Sequence, residues 1–192
     1  MKKLPIFLLV GCFVLLIGFN FMGCSSTPAP AAPAAAPAPL CASPTSRGVA
    51  STAGLSYSDP GNEIFTSPIT LVTGTTATSI SMYVGSGPVT GQVRFAVYGD
   101  NGGVPGNLII ETNPQNIVAS SWNTANLPNV FLPSSGATVY WLALLGSNTF
   151  PGGYNAPGNE MYLVYSWGVF PDSMPVGTAN SGANAIYITT CP

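Results

Sequence analysis

The chain carries little with which to do chemistry. Past residue 40 its acids are Asp59, Glu63, Asp100, Glu111, Glu160 and Asp172, its cations are Arg47 and Arg94, and it has neither lysine nor histidine there. A serine or cysteine nucleophile needs a neighbouring base to take its proton, and the usual bases are missing. Zinc lacks imidazole ligands for the same reason. Two carboxylates alone can hydrolyse a glycoside, but acids so widely scattered pair by chance, so the residues assign no catalytic group, no metal and no cofactor. With only 4 lysines and arginines in the whole chain, the phosphate neutralisation that nucleic acid demands is out of reach.

Two turns invite a metal reading. In "YGDNGGVPGNLI" (98–109) Asp100 is the sole acid, whereas a helix-flanked calcium loop alternates acids and closes with a glutamate. A phosphate loop would run into a helix, yet "VPGNLIIET" reads as a strand. The mechanical reading fits better: Asp100 to Gly103 tolerate positive φ, and Pro105-Gly106 suits the centre of a type II turn with Gly106 at positive φ. "SDPGNE" could offer Asp59, Glu63 and carbonyls to calcium, although a solvated turn is the simpler expectation.

Sugar binding needs no titratable group. It needs flat aromatic surface for the C–H-rich face of a pyranose, ringed by amides and hydroxyls. The stretch "FPGGYNAPGNEMYLVYSWGVFPD" (150–172) supplies Phe150, Tyr154, Tyr162, Tyr165, Trp167 and Phe170 among Asn155, Asn159, Glu160 and Asp172. Aromatic residues in turns are harder to explain by a core than those in strands. Tyr154 is therefore the first candidate, followed by Trp167, Tyr162 and Asn155. Trp122 and Trp141 read as packing residues.

The elements that must hold these groups alternate with period two: Ile80, Met82 and Val84 against Ser79, Ser81 and Tyr83, then Val93, Phe95 and Val97 against Gln92, Arg94, Ala96 and Tyr98. Half-buried strands produce that pattern. Further apolar runs cover 62–74, 107–112, 116–120, 137–145, 160–167 and 183–190. "GSGP", "GDNGGVPG", "TNPQ", "LPSSG", "FPGGYNAPGN" and "FPDSMPVG" between the runs carry turn chemistry. Helical periodicity is missing from residue 41 onward, so the expectation is an all-β, antiparallel two-sheet β-sandwich, jelly-roll-like, over residues 41–192.

The N-terminus reads as an address. "MKKLPIFLLVGCFVLLIGFNFMGC" has the basic start and apolar run of a secretory signal and resembles bacterial lipoprotein signals, which implies cleavage after residue 23 and a lipidated Cys24. "LVGC" ending at Cys12 fits that motif more closely at Leu9 but would leave a very short apolar region, and an uncleaved membrane anchor is the other alternative. Residues 25–40, "SSTPAPAAPAAAPAPL", form with Cys24 a lipid-anchored Pro/Ala linker, extended at about 3.1 Å per residue. In an exported chain Cys41 and Cys191 read as a disulfide.

"VRFAVYGDNGGVPGNLIIET", "SSWNTANLP" and "ATVYWLALLG" together resemble a recurrent extracellular bacterial β-sandwich domain similar to carbohydrate-binding modules. The resemblance spans residues 80–145 and implies the fold more strongly than a ligand. The expected function is a surface-anchored, noncatalytic module for carbohydrate or adhesion, attached to the membrane through lipid at Cys24 in the outer membrane or at the cell surface. The alternative is a structural envelope lipoprotein that contacts an envelope protein.

Overall fold

Alternating apolar and polar residues make strands, and in this chain they make little else. The computed structural model describes residues 41–52, 56–155 and 158–192; the expected signal, Cys24 and the Pro/Ala linker lie outside them. The described residues form twelve strands and no helix: β1 (Thr45–Gly48), β2 (Ser56–Asp59), β3 (Glu63–Val84), β4 (Gln92–Asp100), β5 (Pro105–Glu111), β6 (Gln115–Asn116), β7 (Ser121–Gly146), β8 (Phe150–Asn155), β9 (Glu160–Val164), β10 (Thr178–Asn180), β11 (Ala183–Asn184) and β12 (Ile186–Cys191). All their pairings are antiparallel.

The frame is the ladder between β3 and β7, strands of 22 and 26 residues. It runs from Ile64 opposite Leu145 to Val84 opposite Ser121. Reading the sequence separates 62–74 from 79–84 and places a turn at "LPSSG"; the structure instead carries both strands through. Gly74, Pro128, Pro133 and Gly136 all fall where the register shifts and no partner is required of them. Bulges of this kind bend a strand without ending it.

Each half of the ladder has its own neighbours. The first half of β3 and the second half of β7 build a sheet in the order β10-β9-β3-β7-β4-β5, with β6 also on β4. The remaining halves build a second sheet, β1-β12-β3-β7. Strand β8, read from sequence as a turn, lies between β2 and β11 and meets the end of β3 at Val84 opposite Gly152. Phe65, Ile69, Phe95, Val97, Leu142 and Leu144 of the first sheet share one core with Ile80, Met82, Val84, Leu127, Ile186 and Ile188 of the second. Two sheets sharing one core are the expected antiparallel β-sandwich.

The first sheet is covered on its other face too. Ile64, Ala96, Tyr98, Trp141, Ala143 and Leu145 project outward, and Phe170, Met174, Tyr165 and Trp167 from the segment 165–177 lie on them. Burial on both faces explains why "ATVYWLALL" reads as an unbroken apolar run. Polar contacts fasten this cover at its length: Tyr98 donates to the Pro171 carbonyl at 2.9 Å, the Phe170 amide donates to Glu111 at 3.0 Å, and the Met174 amide donates to the Gly106 carbonyl at 2.9 Å. Glu111 also pairs with Arg94 at 3.2 Å.

The expected disulfide is present. Cys41 and Cys191 are joined across a sequence separation of 150 residues, which ties the end of β12 to the chain just ahead of its partner β1. The turn at 101–104 differs in detail from expectation. Asn101 and Val104 close it, with positive φ at Gly102 and Gly103, as a type I′ hairpin turn requires. Pro105 and Gly106 begin β5, and Gly106 is not at positive φ. Gly106 serves close approach instead, because a Cβ there would lie 3.0 Å from that of Asn101.

Candidate functional site

The outer face of the second sheet is where the polar phase of the alternation leads. Ser79, Ser81 and Tyr83 of β3, Tyr187 and Thr189 of β12, and Trp122, Thr124 and Asn126 of β7 share it, since their strand neighbours Ile80, Met82, Val84, Ile186, Ile188, Ala125 and Leu127 point into the core. Tyr83 stands opposite Trp122, and Tyr187 stands opposite Ser81. The Trp122 ring is 5.5 Å from that of Tyr83 and 4.8 Å from that of Tyr187, edge-to-face in both cases. Trp122 and Tyr187 come from strands on either side of β3, so their rings meet over Ser81, which is small enough to pass beneath them and is 1% exposed.

All three residues are half-buried. Around them stand Thr124 and Asn126, both exposed, with Ser81 and Thr124 hydrogen-bonded at 2.8 Å. Gly153 of β8 packs against Tyr83, whose ring would lie 3.1 Å from a Cβ at that position. The indole is held between two phenols, so its orientation is fixed before any ligand arrives. Fixing it beforehand removes side-chain ordering from the free energy of binding.

A second unusual feature lies at the β2–β8–β11 end. Asp59 and Glu160 are buried, at 0% and 2% exposure. Asp59 Oδ1 accepts the Gly61 amide at 2.8 Å, while its Oδ2 is buried without a hydrogen-bond partner. Glu160 accepts from the buried Asn184 amide at 2.6 Å. Burial pushes Asp59 up to about 7, opposed by the Gly61 hydrogen bond and reinforced by the negative charge of Glu63. Burial and then the charge of Asp59 push Glu160 up to about 8, opposed by a hydrogen bond from the Asn184 backbone.

Of the residues singled out from sequence, Tyr162 and Trp167 do not converge. Tyr162 faces the inner core and stacks on Phe65 at 6.2 Å, whereas Trp167 packs on the opposite face of the same sheet, its amide donating to Asn62 at 2.9 Å. Phe150 and Phe170 are core residues. The backbone of Tyr154 and Asn155 pairs in β8 with Asn184 and Ala183; their side chains lie outside the described residues. Trp141 is packed in the outer core of the first sheet, as expected, and its indole donates to Asp100 at 2.8 Å, so Asp100 holds a ring as well as a turn. Tyr83, Trp122 and Tyr187 were not candidates from sequence, although each sits at a polar phase beside Ser or Thr, a signal that marks an outward ring.

No protein-family model matches the chain, and no curated protein matches it. Among solved structures it is similar to the clostridial cysteine protease Cwp84 after propeptide cleavage, with a TM-score of 0.51, 11% identity, and coverage of 77% of this chain and 40% of that one. It also matches infectious bursal disease virus, Gx strain, with a TM-score of 0.35, 12% identity and the same coverages of 77% and 40%. The chain thus spans well under half of each of these structures, and the first likeness concerns the fold alone.

Proposed function

We propose that this chain is an exported, lipid-anchored, noncatalytic module that binds carbohydrate on the outer face of its second sheet. The observation that carries the reading is the braced ring cluster of Tyr83, Trp122 and Tyr187, set among Ser, Thr and Asn side chains and, among the described residues, without a covering segment like the one on the first sheet. A pyranose presents a C–H-rich face to such rings while its hydroxyls meet neighbouring hydroxyls and amides. The scarcity of charge fits a neutral ligand. Anchoring through Cys24 and a Pro/Ala stalk, in the outer membrane or at the cell surface, accords with the sequence of residues 1–40.

Affinity from stacking on so small a surface is weak, roughly micromolar to millimolar, and insensitive to salt. A glycan array probed with the full chain in detergent tests this reading. Recognition of a group of related neutral saccharides supports it. An empty array, together with cross-linking of the anchored protein to one envelope neighbour, would transfer the same face to protein contact and establish the structural-lipoprotein alternative. Mass spectrometry of the N-terminus tests the anchor separately: a lipid-modified Cys24 is expected, and an unprocessed Met1 contradicts it.

A further inference from the structure

The ring face continues past Tyr83 onto β8. A Cβ at Gly153 would lie 3.1 Å from the Tyr83 ring, so the phenol reaches over β8 only because that position is glycine. Pro151 is two residues along the same strand and therefore on the same face, about 7 Å further on. The Gly85 amide donates to the Pro151 carbonyl at 2.8 Å, and Ser58 of β2 stands opposite Pro151 on its other side. A groove of about 410 Å³ opens there, lined by Ser58, Ser86, Gly87, Pro88, Thr149 and Pro151. Gly85 and Gly153 are the positions between the rings and this groove, and neither puts a side chain in the way.

We infer that this groove is a second sugar subsite continuous with the rings, and that the face takes a chain of linked neutral sugars rather than a single terminal unit. The inference rests on the carbohydrate reading of the ring face and extends it. The volume falls in the range of small-ligand pockets, about 300 to 1,000 Å³. Its lining has both surfaces that a pyranose uses. Ser58, Ser86 and Thr149 are exposed hydroxyls, and Thr149 Oγ1, which donates to the Pro60 carbonyl at 3.0 Å, is held in place with lone pairs left to accept from a ligand. Pro88 and Pro151 add rigid apolar rings for C–H-rich faces. None of these side chains is charged, so the groove offers no cation to an acidic sugar. Stacking on the three rings alone is weak, and a second unit of the same chain binds without a second loss of translational freedom.

Calorimetry on the full chain in detergent reads the dependence on ligand length directly. The probes are oligomers of β-1,4-linked glucose, α-1,4-linked glucose and β-1,4-linked N-acetylglucosamine, each from monomer to hexamer. In at least one series affinity should rise about tenfold or more between monomer and tetramer and then level off, once rings and groove are both filled. Ser58→Leu, at an exposed position, removes a hydroxyl and narrows the groove; it should erase most of that rise and leave the monomer's affinity at the parent's value. Ser86→Ala should reduce the rise by roughly threefold, the share of one hydrogen bond. Trp122→Ala should weaken every length alike. Equal affinity for monomer and hexamer, or a rise with length that Ser58→Leu leaves intact, overturns the subsite while the ring-face reading survives in its dependence on Trp122. No binding at any length in any series overturns both.

Discussion

The two halves of the β3–β7 ladder share the same strands and the same alternation, yet their outer faces differ in kind. Over the first half the outward positions are Ile64, Trp141, Ala143 and Leu145, and the chain returns in 165–177 to cover them. Over the second half they are Ser81, Tyr83, Trp122 and Thr124, and among the described residues no segment packs over them as 165–177 does over the first half. Apolar area is worth about 25 cal/mol per Å² when buried, so an apolar outer face recruits cover from its own chain. A face of rings and hydroxyls is stable half-wet and can wait for a partner. The contrast between the two tryptophans, Trp141 and Trp122, contains the whole difference.

Replacing Cys41 and Cys191 by serine should have the largest effect, lowering stability by up to about 5 kcal/mol because a very long loop is released in the unfolded chain; urea melts check this, and the circular dichroism spectrum should stay β-type. Trp141→Ala comes next at about 3 to 5 kcal/mol, since it empties a covered core and abandons the bond to Asp100, whereas Trp122→Ala should cost about 1 to 2 kcal/mol in the same melts. Equal losses at the two positions would erase the distinction between the faces.

Removing the fastening of the cover sharpens the comparison. Glu111→Ala strands the Phe170 amide and removes the ion-pair partner of Arg94, and should cost about 1 to 3 kcal/mol while increasing the binding of a hydrophobic dye, because the covered face opens. Asp100→Ala should be milder, about 1 to 2 kcal/mol, from the Trp141 and Gly103 hydrogen bonds it forfeits.

A pH titration probes the buried acids. Asp59 near 7 and Glu160 near 8 lie above the unfolded carboxylate range of about 4. The folded chain therefore retains protons that the unfolded chain releases, and their contribution is greatest below about pH 4 and is lost as pH rises through about 8. The slope is at most about 1.4 kcal/mol per pH unit for each group. Asp59→Asn should flatten the profile, and an unchanged profile in that variant would refute the assignment.

The strands, the core and the disulfide were legible in the sequence because period-two alternation is a local sign and because export, as expected from the N-terminus, argues for pairing Cys41 with Cys191. The continuity of β3 and β7 was not. Pro133 and Gly136 end a flat strand by their own chemistry, and only the partner strand's register reveals that they fall where no bond is needed. The site was obscured for a related reason. Tyr162 and Trp167 are close in sequence and in a region rich in turns, but they lie on opposite faces of the first sheet. Tyr83, Trp122 and Tyr187 come from three strands, and nothing in a linear reading brings Trp122 within 6 Å of both tyrosine rings except the pairing of β3 with both neighbours. Glu160 at the head of an apolar run looked like a polar rim residue, and its burial depends on Asn184, which is 24 positions away.

The central claim is that the uncovered face, and not the aromatic cover of the first sheet, meets the ligand. Titrating a saccharide selected on the array into the full chain by calorimetry, beside Trp122→Ala, Tyr187→Ala and Trp167→Ala, tests it most directly. The account predicts at least a tenfold loss of affinity for the first two variants and parental affinity for Trp167→Ala. Loss of binding in Trp167→Ala with the parent's affinity intact in Trp122→Ala and Tyr187→Ala would contradict it.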